Sequence, residues 1–226
     1  MTALFVSGAH TDVGKTWVAC ALLRAARARG LSVDALKPVV SGIDLDDWAD
    51  SDPGRLITAL GRDRTSPALD AMSPWIFTAP LAPPMAAARE GRSLATADVA
   101  RFCTDHRTAA DLFLVEGAGG VMSPMTSDGV CLDLMRALAL PTLLVGGSYL
   151  GAISHTLTAL ETLRAHAVPV AAIVVSEAAD PDAPDFAETI ALVARYAGEV
   201  PVAAAARNAD DAWADTLLTD LGVGIV

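Results

Sequence analysis

The chain has 226 residues, a formal net charge of −11, 53% hydrophobic residues and 19% charged residues. That composition belongs to a folded globular protein and excludes a disordered chain. The negative balance excludes a general electrostatic attraction for nucleic acid or anionic lipid, and no run reaches the ~20 apolar residues that span a bilayer.

The N-terminus has no basic region and leads straight into a glycine loop, so a cytoplasmic protein without a signal peptide is expected. Three scattered cysteines, Cys20, Cys103 and Cys131, read as reduced, buried side chains. Leu4-Phe5-Val6 is a short apolar run ending at Gly8 and predicts a buried strand. Thr16 to Arg29 predicts a helix, with Val18, Ala21, Leu22 and Ala25 on one face and Gly30 as its stop. Leu31 to Leu36 predicts a second strand that runs into Lys37-Pro38.

Positions 43–110 read as an insertion of loops and helices, acidic from Asp44 to Asp52 and rich in proline and alanine from Ser73 to Pro84. Leu112 to Val115 and Thr142 to Val145 predict the third and fourth strands. Gly151 to His166 predicts a helix with Ile153, Leu157 and Leu160 inward, and Val170 to Val175 a fifth strand. A helix from Ala183 to Tyr196, a last strand from Glu199 to Val202 and a terminal helix from Asp211 to Leu221 complete the series. Short apolar strands alternating with amphipathic helices imply a mostly parallel sheet covered on both faces. No segment has a linker's composition, so one domain over 1–226 is expected. The segment 213–226 has no basic amphipathic face that would suit a membrane.

In such sheets ligands bind beyond the carboxyl ends of the strands. There the first strand gives Gly8-Ala9-His10-Thr11-Asp12-Val13-Gly14-Lys15-Thr16 before its helix. Backbone amides and a helix N-terminus attract phosphate, Gly14 permits close approach, Lys15 adds charge, and the Thr16 hydroxyl suits Mg²⁺. The loop therefore predicts binding of a nucleoside triphosphate with Mg²⁺. Lys37 ends the second strand and faces the same crevice, and Ser41 follows in a turn. Glu116 ends the third strand ahead of Gly117-Ala118-Gly119-Gly120, where an acid is placed to hold a cation. Asp52 is a further candidate, with Asp44, Asp46, Asp47 and Asp50 competing for its role. The four histidines form no metal spacing, and Trp17 reads as packing close to the nucleotide.

Taken together, the chain resembles the dethiobiotin synthetase family of the three-layer P-loop NTPase fold. Six segments carry the resemblance over nearly the whole chain: Gly8 to Thr16, Lys37-Pro-Val-Val-Ser-Gly42, Pro80 to Ala87, Val115 to Gly120, Leu150-Gly-Ala-Ile-Ser-His155 and Gly198 to Pro201. The five residues between Gly8 and Gly14 are the form this family uses. The resemblance implies an ATP-dependent cyclo-ligase of biotin biosynthesis acting on 7,8-diaminopelargonic acid and CO₂. One amine becomes a carbamate, the carbamate attacks the γ-phosphate, and the second amine closes the ureido ring with release of phosphate.

It further implies Thr16, Asp52 and Glu116 as Mg²⁺ ligands, with Lys15 and Lys37 stabilising the transferring phosphoryl group. ATP would also meet Asp12, Val13, Gly14, Trp17, Gly117, Ala118, Gly119, Ser176, Glu177, Pro201 and Val202. Thr11, Asp12, Lys37, Ser41, Leu150, Gly151 and Ser154 would line the diamine and its carboxylate, in a homodimer. The family's usual Asn-Asp beside adenine is here Ser176-Glu177, its usual glutamate is Asp12, its usual asparagine is Ser154 and its usual histidine is Pro84. A nucleotide-switch ATPase of the partitioning or division-site type is the alternative, although such loops carry an additional lysine near the first glycine.

Overall fold

The computed structural model describes residues 1–224. Its elements run β1 (Thr2–Gly8), α1 (Lys15–Ala28), β2 (Val33–Leu36), β3 (Val39–Ser41), α2 (Asp52–Ala59), α3 (Ser66–Met72), β4 (Trp75–Phe77), α4 (Pro83–Arg89) and α5 (Thr96–Asp105). They continue β5 (Leu112–Gly120), α6 (Cys131–Leu138), β6 (Thr142–Gly147), α7 (Ala152–Ala165), β7 (Val170–Ser176), α8 (Phe186–Ala197), β8 (Val202–Ala205) and α9 (Ala212–Asp220). Ile225 and Val226, the end of the terminal segment, lie outside the described residues.

Six strands form one sheet in the order β2-β5-β1-β6-β7-β8, and every pairing in it is parallel. The alternation of side chains along β1 divides the core in two. Leu4 and Val6 pack with Val18, Leu22, Leu56, Leu69 and Leu217, so α1, α2, α3 and α9 cover one face. Ala3 and Phe5 pack with Ala86, Val99, Leu134, Leu160 and Val193, so α4 to α8 cover the other. These layers are those of a P-loop NTPase fold.

The insertion differs from the reading of loops and helices alone. It contains a strand, β4, which pairs in parallel with β3 as a second, two-stranded sheet. Trp75-Ile76-Phe77 is only three residues long and has no period to reveal it. The helix α6 was also absent from the sequence reading, because its eight residues follow a run of turn-forming residues and match no long amphipathic pattern. α8 starts at Phe186 rather than Ala183, since the Asp185 carboxylate caps it by accepting from the Glu188 amide. The last strand is displaced from 199–202 to Val202–Ala205. Gly198 ends α8 at φ 64°, and Pro201, which has no amide hydrogen, enters pairing only through its carbonyl to Ile173 N.

Candidate functional site

The strand register assembles the site. Leu36 lies opposite Val115, so Lys37 and Glu116, 79 positions apart, emerge side by side. Val6 pairs with Glu116, which brings the loop after Gly8 against the same strand end. The backbone of Lys37 is fixed by the insertion. Its amide donates to Met72 O at 3.2 Å, and its carbonyl accepts from the buried Ser73 hydroxyl at 2.7 Å.

The Lys37 ammonium donates to Glu116 Oε1 at 2.5 Å and pairs with Asp52 Oδ2 at 3.1 Å. Thr16 Oγ1 donates to the same Glu116 oxygen at 2.7 Å. Glu116 Oε2 is buried and has no partner among the described residues. Burial pulls the Lys37 pKa down, but the Glu116 and Asp52 carboxylates outweigh it and hold the ammonium above the usual lysine range. Asp52 is the reverse case. Desolvation raises its pKa, and Lys37, Thr16 and Lys15 together bring it below the usual carboxylate range.

Asp52 opens α2, whose cap is Ser51. Gly54 permits this, because a Cβ there would lie 2.4 Å from Ala49 O. The competing Asp44, Asp46, Asp47 and Asp50 are all exposed. Among the described residues no three His, Cys, Asp or Glu side chains converge. One hydroxyl and two carboxylates nevertheless form an oxygen set suited to a hard cation that keeps water or phosphate ligands. The orphaned Glu116 Oε2 fits that use.

Lys15 is 7% exposed, and no ion pair engages it among the described residues. Desolvation, followed by repulsion from Lys37, lowers its pKa. Gly8 is needed where the loop turns over Lys15, since a Cβ there would lie 2.6 Å from His10 O. Gly14 adopts φ 95° and packs against Ser176, and Asp12 adopts φ 58°. Val13 is buried beneath the loop.

On one side of the loop, Gly14, Trp17, Ser176 and Glu177 line a cavity of ≈ 240 Å³. Its other walls, missed by the sequence reading, are Arg55, Ala205, Arg207 and Asn208. Pro201 and Val202, expected there, lie at the opposite end of β8, because Ser176 pairs with Ala205 while Val202 pairs with Ile173. A six-residue shift, from Pro201-Val202 to Arg207-Asn208, along a short alanine-rich strand leaves no sequence signal to correct. Trp17 stacks on Trp213 with ring centroids 5.5 Å apart. Glu177 accepts from the Arg207 amide at 2.7 Å, so its carboxylate holds the loop together. Asn208 sits at φ 61°, which asparagine tolerates, and its side chain can offer a donor and an acceptor side by side.

On the other side, Thr11, Asp12, Ser41, Ala118 and Gly119 line a cavity of ≈ 470 Å³ with Pro80 to Pro83 and Ser123. Ala118 and Gly119 thus fall with the residues expected for the diamine, not with those of the nucleotide base. Gly117 keeps its carbonyl 3.4 Å from Lys37 Nζ. Leu150, Gly151 and Ser154 are not brought into this cavity. Leu150 is 87% exposed, and Ser154 lines a separate depression on the outer side of α7.

A family described as an AAA domain matches residues 2–210. The ATP-dependent dethiobiotin synthetase BioD of Phenylobacterium zucineum is 57% identical over 219 residues, covering 96% of this chain and 94% of that protein. The ATP-dependent dethiobiotin synthetase BioD of Caulobacter vibrioides is 53% identical over 98% of this chain and 99% of that protein. Among solved structures, a ParA family ATPase from Chlorobium tepidum TLS superimposes with a TM-score of 0.55 at 16% identity, over 98% of this chain and 91% of that one. The hydrogenase maturation factor HypB from Archaeoglobus fulgidus gives 0.55 at 14% identity, over 98% and 90%. At those identities the structural likeness speaks for the fold alone. The sequence relatives, similar from end to end, decide the family: this chain belongs to the ATP-dependent dethiobiotin synthetases.

Proposed function

We propose that this chain carboxylates 7,8-diaminopelargonic acid with CO₂ and closes the ureido ring of dethiobiotin, converting ATP to ADP and phosphate. The observation that carries the reading is the convergence of Lys15, Lys37, Thr16 and Glu116 between a phosphate loop and the cavity lined by Thr11 and Ser41. An amine nitrogen bonds to CO₂ and loses a proton, giving a carbamate. A carbamate oxygen then bonds to the γ-phosphorus as the bond to ADP breaks. Finally the second amine bonds to the carbonyl carbon, the carbon–oxygen bond to phosphate breaks, and that nitrogen loses its proton.

Each step moves negative charge among phosphoryl and carbamate oxygens, which preorganised cations stabilise. Lys15 faces the transferring phosphoryl group, and Lys37 bridges it to the carbamate. Thr11 and Ser41 orient the diamine, and Asp12 attracts its ammonium. Thr16, Asp52 and Glu116 would hold Mg²⁺, which would supply positive charge to offset that developing on the phosphoryl oxygens. Gly14 and Val13 seat the phosphates. Trp17, Ser176 and Asn208 surround the base, with Asn208 pairing its amide with the adenine edge.

The protein works in the cytoplasm as one domain, with the insertion at 43–110 as a wall of the site. It acts as a homodimer in which Leu150, Gly151 and Ser154 of one copy complete the carboxylate end of the other's substrate cavity. Exposed Leu150 and Met122 support this, and a helix N-terminus suits a carboxylate. Nucleic acid and membrane have no part in the reading, in keeping with the net charge of −11.

Isotope transfer tests the chemistry. With ¹⁸O-labelled bicarbonate, the released phosphate should carry one ¹⁸O from the carbamate. Phosphate that takes its new oxygen only from water would mean simple ATP hydrolysis.

A further inference from the structure

The Lys37 ammonium stands in the place that the proposed function gives to a metal. It lies 2.5 Å from Glu116 Oε1 and 3.1 Å from Asp52 Oδ2, and Thr16 Oγ1 reaches the same Glu116 oxygen at 2.7 Å. The Lys37 side chain is 4% exposed within this set. Two carboxylates this close need a cation, and burial makes an uncompensated charge costly. Lysine supplies that cation here, but a divalent ion held by the same oxygens would repel it. A lysine tied to both carboxylates also has its donors committed away from a carbamate.

Composition adds an independent observation. The chain has only two lysines, Lys15 and Lys37, and every other Lys/Arg position is arginine. A compact ammonium on a flexible stem can enter an oxygen set and leave it, which a planar guanidinium does far less readily.

Resting on that metal assignment, we propose that Lys37 is the resident cation of the site in the nucleotide-free protein and leaves it only when a divalent ion arrives with the nucleotide. Arrival of the metal then does two things. It replaces the ammonium between Asp52 and Glu116, and it frees Lys37 for the phosphoryl and carbamate oxygens. Lysine and metal compete for one place, so the reactive lysine is delivered only to a metal-loaded nucleotide.

The test uses the full chain without nucleotide, with Mn²⁺ as the probe and free ion measured by electron paramagnetic resonance. Removing the competitor by Lys37→Met should tighten Mn²⁺ binding about tenfold or more. Unchanged or weaker binding by the variant would overturn the proposal. A second measurement needs no variant. In ¹⁵N-lysine-labelled protein the Lys37 ammonium should give an exchange-protected signal that persists when a non-hydrolysable ATP analogue is added with chelator. It should shift or vanish when Mg²⁺ follows, and an equal change with the analogue alone would overturn the proposal. Asp52→Asn separates the two levels of the reading. If it leaves Mn²⁺ binding with the analogue unchanged, the metal assignment fails and the proposal with it. If it weakens that binding while Lys37→Met gains nothing, the competition alone fails.

Discussion

In the proposed reaction Lys37 carries much of the chemistry in one side chain. Its ammonium is buried, tied to Glu116 and Asp52, and held in its charged form. A group that stabilises charge chiefly in the transition state should affect turnover far more than nucleotide affinity. Lys37→Ala should therefore lower kcat by about 10²–10³-fold while the Kd for ATP, read by calorimetry, changes much less. Parallel losses would reduce Lys37 to a nucleotide contact. Asn208 offers a second test at this scale. Asn208→Gly keeps the positive φ and removes only the amide, so the preference for ATP over GTP in kcat/KM should fall about tenfold. An unchanged preference would leave Asn208 as a turn residue.

Among the elements, α3 holds the backbone of Lys37 from behind the site. The Ser73 hydroxyl donates to the Lys37 carbonyl at 2.7 Å, and both residues are buried. Ser73→Ala should lower unfolding free energy in urea by about 1–3 kcal/mol, because a buried acceptor loses its donor. It should also reduce kcat more than it raises the KM for ATP, since the Ser73 hydroxyl bonds to the Lys37 backbone. A kcat that stays at the native value would show that this bond is not needed to place Lys37. This link was not legible in sequence, because it joins two residues 36 apart, one of them the cap of a seven-residue helix too short to show a period. The loop from Gly8 to Thr16 was legible, being a continuous strand–loop–helix whose chemistry is local. Lys37 and Glu116 could be named because both close apolar strands, whereas their direct contact depends on the β2–β5 register. Asp52 was only one of five acids until Ser51 capped α2 and its carboxylate met Lys37. Arg207 and Asn208 lay in a loop that the sequence assigned no role, while Pro201 and Val202, named from a motif, lie at the end of β8 away from that cavity.

At the scale of the whole molecule, two apolar layers on one parallel sheet leave Cys20, Cys103 and Cys131 buried. Desolvation pushes each thiol up to about 12. The folded protein should resist thiol-directed reagents at pH 8, and three thiols should become reactive in denaturant. A fast-reacting thiol in the native protein would contradict this packing. The sign of the linked pH dependence follows. Unfolded thiols ionise near their ordinary value of 9.0, while the folded ones stay protonated to about 12. Their contribution to stability is complete below pH 9 and is lost as pH rises towards 12.

The proposed reaction couples ATP consumption to the diamine. The measurement is phosphate release by the purified chain with ATP, Mg²⁺ and bicarbonate, with and without 7,8-diaminopelargonic acid. The expected result is release that depends on the diamine and matches dethiobiotin formed one for one. Phosphate release at the same rate without the diamine would contradict it.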